Sequence, residues 1–383
     1  MADTFIIPDR IISGKDALKA ASEALGAMGT KALIVTDPTM ERLGNLRAVT
    51  ELLEQEHIGY AVFSGITGEP DDGMIQEGLS CFQKEQCDFL IGLGGGSPID
   101  SMKAIAMLEV YGGSPADQMG KTVDRKLVPM AAVPTTAGTG SEATQFTIIT
   151  DRATQVKMLL KGPGLMPDLA IIDPRFTITA PPSITAATGI DALTHAIEAY
   201  TSRKAQPLSD TFALSACRRI FENLRKAWSD GSDEESRIQM ALAALEAGIA
   251  FNNSSVTVVH GMSRPIGALF HVPHGISNAM LLEVCLRYAA EGAAERFGEI
   301  AVACGFAETS ESADAAAETL LKQVTGLLRD IEIPTLEAYG IDKQAFLEAV
   351  PKMAADAFAS GSPSNTRRAV STEVMEELYR QLW

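Results

Sequence analysis

The sequence changes its hydrophobic pattern near residue 180, and this change limits the possible folds more than any other feature. Before that point, short runs rich in Val, Ile and Leu alternate with helical stretches. Those runs are residues 31–37, 60–66, 87–96, 127–136, 146–151 and 169–174. Near-continuous apolar strands separated by helices are typical of a parallel sheet that helices cover on both faces. The first half is therefore predicted to be an α/β domain.

The second half is predicted to be all-helical. Its Ala-rich segments, such as SRIQMALAALEAGIA, repeat apolar residues with the helical period of about 3.6 and contain few β-branched runs. Pro181 and Pro182 separate the two patterns, and proline is favoured just before or within the first turn of a helix. Because 383 residues are too many for one ordinary core, we predict two domains, residues 1–180 and residues 181–383.

Composition restricts the partners of the chain. The net charge of −17 repels nucleic acid and acidic membranes, and no run of about 18 apolar residues offers a membrane span. The N-terminal segment MADTFIIPDR lacks a basic start followed by a long apolar stretch, so we expect a cytoplasmic protein. The five cysteines include no C-x-x-C pair, which argues against disulfides and a zinc-thiolate site. The expected partner is a small molecule.

A strand, a glycine turn and a helix follow one another directly in FLIGLGGGSPIDSMKAIAM. Gly94, Gly95 and Gly96 would let backbone N–H groups approach an anion, and Ser97 and Pro98 are expected to cap and preorganise the helix. A pyrophosphate fits such a turn. The alternative is a tight turn without a ligand, because glycine motifs of this kind are weak signals.

Asp37 ends the earlier run KALIVTD, well before the glycine turn. The usual dinucleotide fingerprint has the opposite order, with the acidic residue about 20 positions after the glycines. A carboxylate at a strand end can accept both ribose hydroxyls of adenosine and would repel a 2′-phosphate, which favours NAD over NADP. A simple Asp-Pro turn is the alternative interpretation.

The segment VPTTAGTGSEAT supplies hydroxyl groups from Thr135, Thr136, Thr139 and Ser141 around two glycines. Hydroxyl donors and open backbone suit a sugar or the nicotinamide amide. A hydroxyl-rich loop alone would be unspecific. Together with the glycine turn, it indicates a nucleotide site in the first half.

Four of the five histidines lie between residues 195 and 274. In GIDALTHAIEAY, His195 follows Asp191 by one helical turn, so both side chains leave the helix on one side. The segment VVHGMSRPIGALFHVPHGISNAM supplies His260, His271 and His274. One carboxylate and three imidazoles suit Fe(II) or Zn(II) with open positions, and His260 and His274 complete the set best. A local ion pair or a hydrogen-bonded core histidine is the alternative.

The chain contains, in this order, the motifs GGGSPID, TTAGTGSE, LMPDLAIIDP, TAATGIDALTHAIEAY, AGIAFNNSSVTVVHGM, HVPHGISNAMLL and SNTRR. With these motifs it resembles the iron-containing (group III) alcohol dehydrogenases along essentially its whole length. The resemblance implies a Rossmann-like dinucleotide-binding domain followed by an all-α metal-binding domain, with the metal in the cleft between them. The metal ligands implied by position are Asp191, His195, His260 and His274. The implied cofactor contacts are Asp37, Gly95, Gly96, Ser97, Thr135, Thr136 and Lys157. The prediction also includes Gly94, Asp100, Thr139 and Ser141, which lie in the same two motifs.

The implied reaction is reversible hydride transfer between a small primary alcohol and the nicotinamide of NAD(H). The implied metal is Fe2+, alternatively Zn2+, and three neutral histidines with one carboxylate would leave the site a net charge of about +1. A homodimer or a higher homo-oligomer is also predicted. Alternatives are enzymes similar to glycerol dehydrogenases or dehydroquinate synthases, and a non-catalytic NAD-binding regulator.

The chain departs from the family pattern near the third metal ligand. Many members carry a second histidine four residues after it, where this sequence has Arg264, and Glu69 replaces a frequent asparagine. Arg264 shares a helix face with His260, so we predict that it pairs with a carboxylate or sulfonate on a short aldehyde. The alternatives are that Arg264 pairs with a protein carboxylate or the cofactor, and that the substrates are neutral C3 to C4 aldehydes and diols such as 1,3-propanediol or lactaldehyde. Candidate pocket walls are Phe146, Phe251 and Phe270.

Overall fold

The computed structural model describes residues 2–383, and these residues form two units. One unit consists of residues 6–180, and the other consists of residues 181–383 together with the N-terminal segment up to Phe5. The first unit contains a parallel sheet with helices, and the second is all-helical. These observations confirm the predicted fold class.

The α/β unit is built on a six-stranded sheet. The strands of this unit are β1 (Arg10–Ser13), β2 (Lys31–Val35), β3 (Gly59–Phe63), β4 (Phe89–Gly94), β5 (Met130–Pro134), β6 (Phe146–Thr150), β7 (Lys157–Lys161) and β8 (Leu169–Ile172). Six of them form the sheet in the order β1-β8-β5-β4-β2-β3, and all neighbouring pairs are parallel. The strands β2, β4 and β5 are therefore neighbours whose carboxyl ends lie at the same edge.

Helices cover both faces of this sheet. They are α1 (Ala17–Ala20), α2 (Ser22–Gly26), α3 (Pro38–Arg42), α4 (Asn45–Gln55), α5 (Asp72–Lys84) and α6 (Gly96–Tyr111). Leu33 of β2 belongs to one core together with Ile105 of α6, whereas the next residue, Ile34, belongs to a second core together with Val49 of α4. Successive side chains of a strand point to opposite faces, so a strand buried on both sides is apolar throughout.

The run at 146–151 does form a strand, but it does not join the sheet. Instead, β6 and β7 pair antiparallel as a separate hairpin. Ile149 and Met158 are buried in it, whereas Ile148 and Leu159 are exposed, so the hairpin buries only one face. The sequence analysis also missed β1, because the four residues RIIS at the sheet edge are too few to show a pattern.

The helical unit is organised around its first helix. Its helices are α7 (Pro182–Thr201), α8 (Pro207–Ser229), α9 (Glu234–Ser254), α10 (Val258–Phe270), α11 (His274–Ala290), α12 (Ala294–Ala303), α13 (Ala313–Asp330), α14 (Leu336–Tyr339), α15 (Lys343–Ala359) and α16 (Thr372–Arg380). As the proline pair predicts, α7 begins at Pro182, and it is buried on all sides from Gly189 to Thr201 among α8, α9 and α11. Within residues 2–383, no helix is long and apolar enough to cross a membrane.

Candidate functional site

One face of α7 carries three ionisable side chains in the middle of the helical unit. Asp191, His195 and Glu198 follow one another at spacings of four and three residues, which places them on the same side of the helix. All three are buried, with Glu198 completely inaccessible to solvent. Charged groups in such surroundings need partners, because an unpaired buried charge is very costly.

The partners come from α10 and α11. His260 lies in the first turn of α10, and His274 is the first residue of α11. Asp191 Oδ1 lies 3.6 Å from His260 Nε2 and 3.7 Å from His274 Nε2, and Asp191 Oδ2 lies 4.0 Å from His195 Nδ1. Asp191, His195 and His260 each present a ligand atom within 4.8 Å of the others. Three helices therefore bring the four predicted ligands together.

The separations in this cluster fit a shared cation better than direct hydrogen bonds. They exceed hydrogen-bonding distance, whereas two ligands of one tetrahedral ion with bonds of about 2.1 Å lie roughly 3.4 Å apart. In addition, His195 Nδ1 is buried and has no hydrogen-bond partner among residues 2–383. A carboxylate with imidazoles is the donor set that Fe2+ and Zn2+ accept. The residues present therefore fit a divalent transition metal.

The protonation states of Asp191 and His195 also favour a cation. Although burial opposes its ionisation, the imidazoles of His195, His274 and His260 lower the pKa of Asp191, so its carboxylate is charged. Burial lowers the pKa of His195 to about 3. His195 is therefore neutral at physiological pH and has a lone pair available for a metal.

Glu198 is a site residue that the sequence analysis missed. Its Oε1 accepts hydrogen bonds from Thr257 Oγ1 at 2.7 Å and from the Val259 backbone N–H at 2.6 Å, and its Oε2 lies 2.6 Å from His260 Nδ1. These contacts outweigh burial and lower the pKa of Glu198. The predicted net charge of about +1 at the metal site included only the carboxylate of Asp191. The second carboxylate, that of Glu198, lowers this net charge by one. The signal was available in the sequence, since Glu198 follows His195 by three residues and so shares a helix face with Asp191 and His195.

Glu198 also controls the charge of His260. Burial opposes a charged imidazole, but the carboxylate of Glu198 outweighs it and raises the pKa of His260 to about 9. A cation that binds Nε2 must therefore displace a proton from His260. Metal uptake is expected to release that proton.

Asn278 contacts three of the proposed ligands at once. Its Nδ2 donates to Asp191 Oδ1 at 2.6 Å and lies 3.2 Å from both His260 Nε2 and His274 Nε2. Its Oδ1 is buried and has no hydrogen-bond partner within the described residues. A buried amide whose oxygen has no partner is unusual, and its nitrogen links Asp191 to two of the three proposed histidine ligands.

Close packing holds α11 against its neighbours. A side chain at Gly275 would come within 2.5 Å of the Ala187 carbonyl oxygen, so glycine is required where α11 begins against α7. The hydroxyls of Ser263 and Ser277 are 2.6 Å apart and join α10 to α11. The three helices that carry the cluster are therefore fixed relative to one another.

Of the three candidate pocket phenylalanines, Phe251 lies at the cluster. Its ring stacks on His195 with centroids 4.2 Å apart, while His260 stacks on His195 with centroids 4.3 Å apart. Phe270 instead packs against Phe346, with centroids 5.5 Å apart, and Phe146 begins the β6–β7 hairpin. Phe251 thus fixes the orientation of a proposed ligand.

Arg264 lies one turn after His260 on α10 and is half-buried. Within residues 2–383 it makes no hydrogen bond or ion pair, although burial lowers its pKa and only the charge of Glu198 opposes that effect. A desolvated guanidinium without a bonded acceptor is unusual, because arginine offers five N–H donors. His271, by contrast, is exposed and ends α10 with a left-handed φ of 54°.

The predicted nucleotide-binding segments lie together at one edge of the sheet. Asp37 follows β2, the glycine turn follows β4 and Thr135 follows β5, and these three strands are neighbours. Thr36 Oγ1 donates to the Leu93 carbonyl at 2.8 Å, and the Thr135 backbone N–H donates to the Gly94 carbonyl at 2.9 Å. The carboxyl edge of a parallel sheet is where such folds bind ligands.

The glycine turn differs from its prediction in one respect. Gly95 is the residue that precedes α6, and the helix begins at Gly96, so Ser97 lies inside the first turn and does not cap it. The helix begins early because Gly94 has a φ of +152° and turns the chain where a side chain would come within 2.5 Å of Pro98. No side chain caps α6. Its N-terminal N–H groups are therefore available to an anion.

The hydroxyl-rich loop packs directly on this turn. A side chain at Gly96 would lie 3.1 Å from Thr139 Cγ2 and 3.4 Å from Ser141 Oγ, and one at Gly95 would lie 3.5 Å from Thr136 Oγ1. The glycines thus give Thr136, Thr139 and Ser141 close access to the start of α6. The structure brings these two predicted motifs together.

Lys103 fixes the other end of that loop and was not predicted. It is completely buried, and its Nζ donates to Thr144 O at 2.8 Å, to Thr144 Oγ1 at 2.9 Å and to Phe146 O at 2.9 Å. Burial lowers the pKa of Lys103 to about 8. Asp100, one turn earlier, accepts from the Ile148 N–H at 3.0 Å. Both residues hold the β6–β7 hairpin against α6.

The remaining two predicted cofactor residues have partners on the protein. Asp37 Oδ1 accepts from the Thr39 N–H at 2.7 Å and caps α3, as in an Asp-Pro turn. Lys157 Nζ forms an ion pair with Glu69 Oε1 at 2.7 Å, which gives the unusual Glu69 a structural role.

Comparison with known families decides the class of the protein. Residues 8–174 match the family described as iron-containing alcohol dehydrogenase, and residues 185–383 match the C-terminal part of the same family. The chain belongs to the iron-containing alcohol dehydrogenases. This confirms the resemblance seen in the sequence, and it makes the protein an oxidoreductase of the alcohol dehydrogenase class.

Similar proteins differ in the substrates their names state. Choline dehydrogenase of Bacillus subtilis (strain 168) is 37% identical, and the match covers 88% of this chain and 85% of the Bacillus protein. 1,3-Propanediol dehydrogenase of Klebsiella pneumoniae is 36% identical over 98% of both chains. The solved structure of sulfoacetaldehyde reductase from Bifidobacterium kashiwanohense with NAD+ is 28% identical, covers 100% of this chain and 99% of its own, and has a TM-score of 0.88.

Proposed function

We propose that this protein catalyses reversible hydride transfer between a small primary alcohol and NAD at a divalent metal. The observation that carries the proposal is the buried cluster of Asp191, His195 and His260, whose ligand atoms lie within 4.8 Å of one another. His274, 3.7 Å from Asp191, is the proposed fourth ligand. Membership of the iron-containing family favours Fe2+, and Zn2+ shares the same ligand preferences.

The chemistry at this centre follows from the proposed ligands. When bound, the ion supplies a Lewis acid that polarises the substrate oxygen. Asp191 attracts the ion with a full negative charge, and the neutral His195 contributes a lone pair without a proton. Phe251, stacked on His195, keeps water from that face of the imidazole and holds the ring in place.

NAD(H) is proposed to bind at the carboxyl edge of the sheet. The uncapped N-terminus of α6 suits the pyrophosphate, and Asp37 suits the adenosine ribose. The negative charge of Asp37 would repel the 2′-phosphate of NADP, so NAD is preferred over NADP. The full proposed set is Asp37, Gly94, Gly95, Gly96, Ser97, Asp100, Thr135, Thr136, Thr139, Ser141 and Lys157.

Arg264 favours an aldehyde with an anionic tail as the substrate. Asp191 and Glu198 together balance a divalent ion, which leaves the half-buried guanidinium of Arg264 as a positive charge without a bonded partner among residues 2–383. A carboxylate or sulfonate on the substrate would supply the missing partner, and it can pair with arginine bidentately. The same charge would repel a cation such as choline. Sulfoacetaldehyde, named for one structural relative, has the favoured charge, whereas 1,3-propanediol is neutral.

Metal analysis and a turnover assay test the proposed function. We expect protein purified without added metal to contain Fe2+ or Zn2+, and we expect it to oxidise NADH with short aldehydes. Chelation should abolish this turnover, and either ion should restore it. Full turnover after complete removal of metal would contradict the proposal.

A further inference from the structure

The carboxylate of Glu198 is held in place without any contribution from His260. Thr257, which precedes α10, and the backbone N–H of Val259 both donate to its Oε1. These donors belong to the N-terminal turn of α10, where the helix dipole also favours a negative charge. Oε2 is therefore fixed at a definite position beside the ring of His260.

That position decides which nitrogen of His260 can bind an ion. Oε2 lies 2.6 Å from Nδ1, which is typical of a short, charge-assisted hydrogen bond. Nδ1 therefore carries a proton and donates a hydrogen bond to the carboxylate. An imidazole whose Nδ1 is protonated can ligate a metal only through Nε2. Nε2 is the nitrogen that faces Asp191 Oδ1, at 3.6 Å.

We propose that Glu198 is a positioning residue for the metal centre, which holds His260 as the Nδ1–H tautomer and presents Nε2 to the ion. This inference rests on the proposed function, since it needs a metal at the Asp191 cluster. Glu198 does not touch the ion or the substrate. Its buried charge makes the ring of His260 a stronger donor and offsets part of the charge of the ion.

Replacement of Glu198 by glutamine tests the proposal with little change of shape. In Glu198→Gln, the side chain loses its charge and one acceptor, so His260 loses its fixed orientation. Replacing the outer hydrogen-bond partner of a metal ligand typically costs about 10–100-fold in metal affinity. We therefore expect Zn2+-loaded Glu198→Gln to release metal to EDTA about 10–100-fold faster than the wild type. The matched control is Glu246→Gln, which removes a half-buried carboxylate that pairs with Arg219 at 3.1 Å elsewhere in the helical unit. Its release rate should equal that of the wild type.

A spectroscopic measurement separates positioning from general stability. With 15N-labelled histidine in the Zn2+-loaded wild type, His260 should show a protonated Nδ1 and a metal-bound Nε2. In Glu198→Gln, the Nδ1 proton should exchange faster and its signal should shift, whereas Glu246→Gln should leave the His260 signals unchanged. Unchanged metal release and unchanged His260 signals in folded Glu198→Gln would overturn the proposal.

Two further variants keep the test decisive if Glu198→Gln does not fold. Glu198→Asp keeps the charge but is one methylene shorter, and Thr257→Val removes one hydrogen bond that holds the carboxylate. Both should release Zn2+ faster than the wild type by a smaller factor, and wild-type rates in both would overturn the proposal. A wild type that takes up no Zn2+ in this assay would contradict the proposed function as well.

Discussion

Asn278 donates a 2.6 Å hydrogen bond from Nδ2 to Oδ1 of Asp191, and this bond joins α11 to α7 at the candidate metal centre. Within residues 2–383, this amide is the only neutral donor to the buried Oδ1 of Asp191. This hydrogen bond satisfies one of the two oxygens of the Asp191 carboxylate. The bond connects two of the helices that carry the proposed ligands.

Asn278→Leu should destabilise the metal-free protein more than the metal-loaded protein. Loss of the donor leaves the buried Asp191 carboxylate under-satisfied, which costs about 1–3 kcal/mol. For a domain of this size, that corresponds to a fall in Tm of roughly 2–4 °C per kcal/mol. Thermal unfolding with and without Zn2+ checks this, since a bound ion should narrow the difference. The control is Asn223→Leu, which removes a buried amide on α8 that donates to the Arg219 carbonyl and to none of the proposed ligands, and it should respond equally with and without Zn2+.

Asp37→Ser should weaken the preference for NAD(H) over NADP(H). Serine keeps an oxygen that can cap α3, but it removes the charge that would face a 2′-phosphate. Loss of a like-charge contact of about 1.5–3 kcal/mol corresponds to roughly one to two orders of magnitude in the ratio of kcat/KM values. Asp342→Ser, which removes the capping carboxylate of α15, is the control and should leave the ratio unchanged. Equal use of both cofactors by the wild type would contradict the role of Asp37.

Arg264→Gln should lower kcat/KM for an anionic aldehyde while sparing its neutral analogue. Hydrogen bonds to a charged group contribute about 1.5–3 kcal/mol, so we expect a loss of roughly 10–100-fold for the anionic substrate. A suitable pair is sulfoacetaldehyde and a neutral aldehyde of equal length. Arg287→Gln, on the exposed side of α11, should change neither value. A wild type that prefers the neutral aldehyde would favour the diol and lactaldehyde alternative.

The sequence could predict the parts of the fold that depend on burial. Leu33 and Ile34 face different cores, so β2 had to be apolar at every position, and this pattern identified the parallel sheet. The hairpin was misassigned because a one-sided strand such as β6 has too few residues for its alternation to stand out. The start of α6 was misplaced because only the φ of Gly94 reveals where the chain turns.

The candidate site could be predicted in part for a similar reason. Asp191 and His195 were recognised by their helical spacing and by the rarity of histidine in this chain. Glu198 lies on the helix face that Asp191 and His195 share, but its role, like that of Asn278, depends on contacts between helices that are distant in sequence, such as the 2.6 Å contact from α7 to His260 on α10. No spacing rule within one helix reports such a contact. The ion pair between Lys157 and Glu69 was missed for the same reason.

Metal content and turnover of His260→Ala, compared with those of His271→Asn, test the central claim most directly. His260 is a proposed ligand in a buried cluster, whereas His271 is exposed and has a left-handed conformation that asparagine tolerates. We predict that His260→Ala binds metal more than about 100-fold more weakly, shows no measurable turnover and still binds NADH, because the loss of a direct ligand exceeds the loss of an outer partner. His271→Asn should match the wild type in all three. Wild-type turnover by metal-free His260→Ala, or loss of metal from His271→Asn alone, would contradict the account.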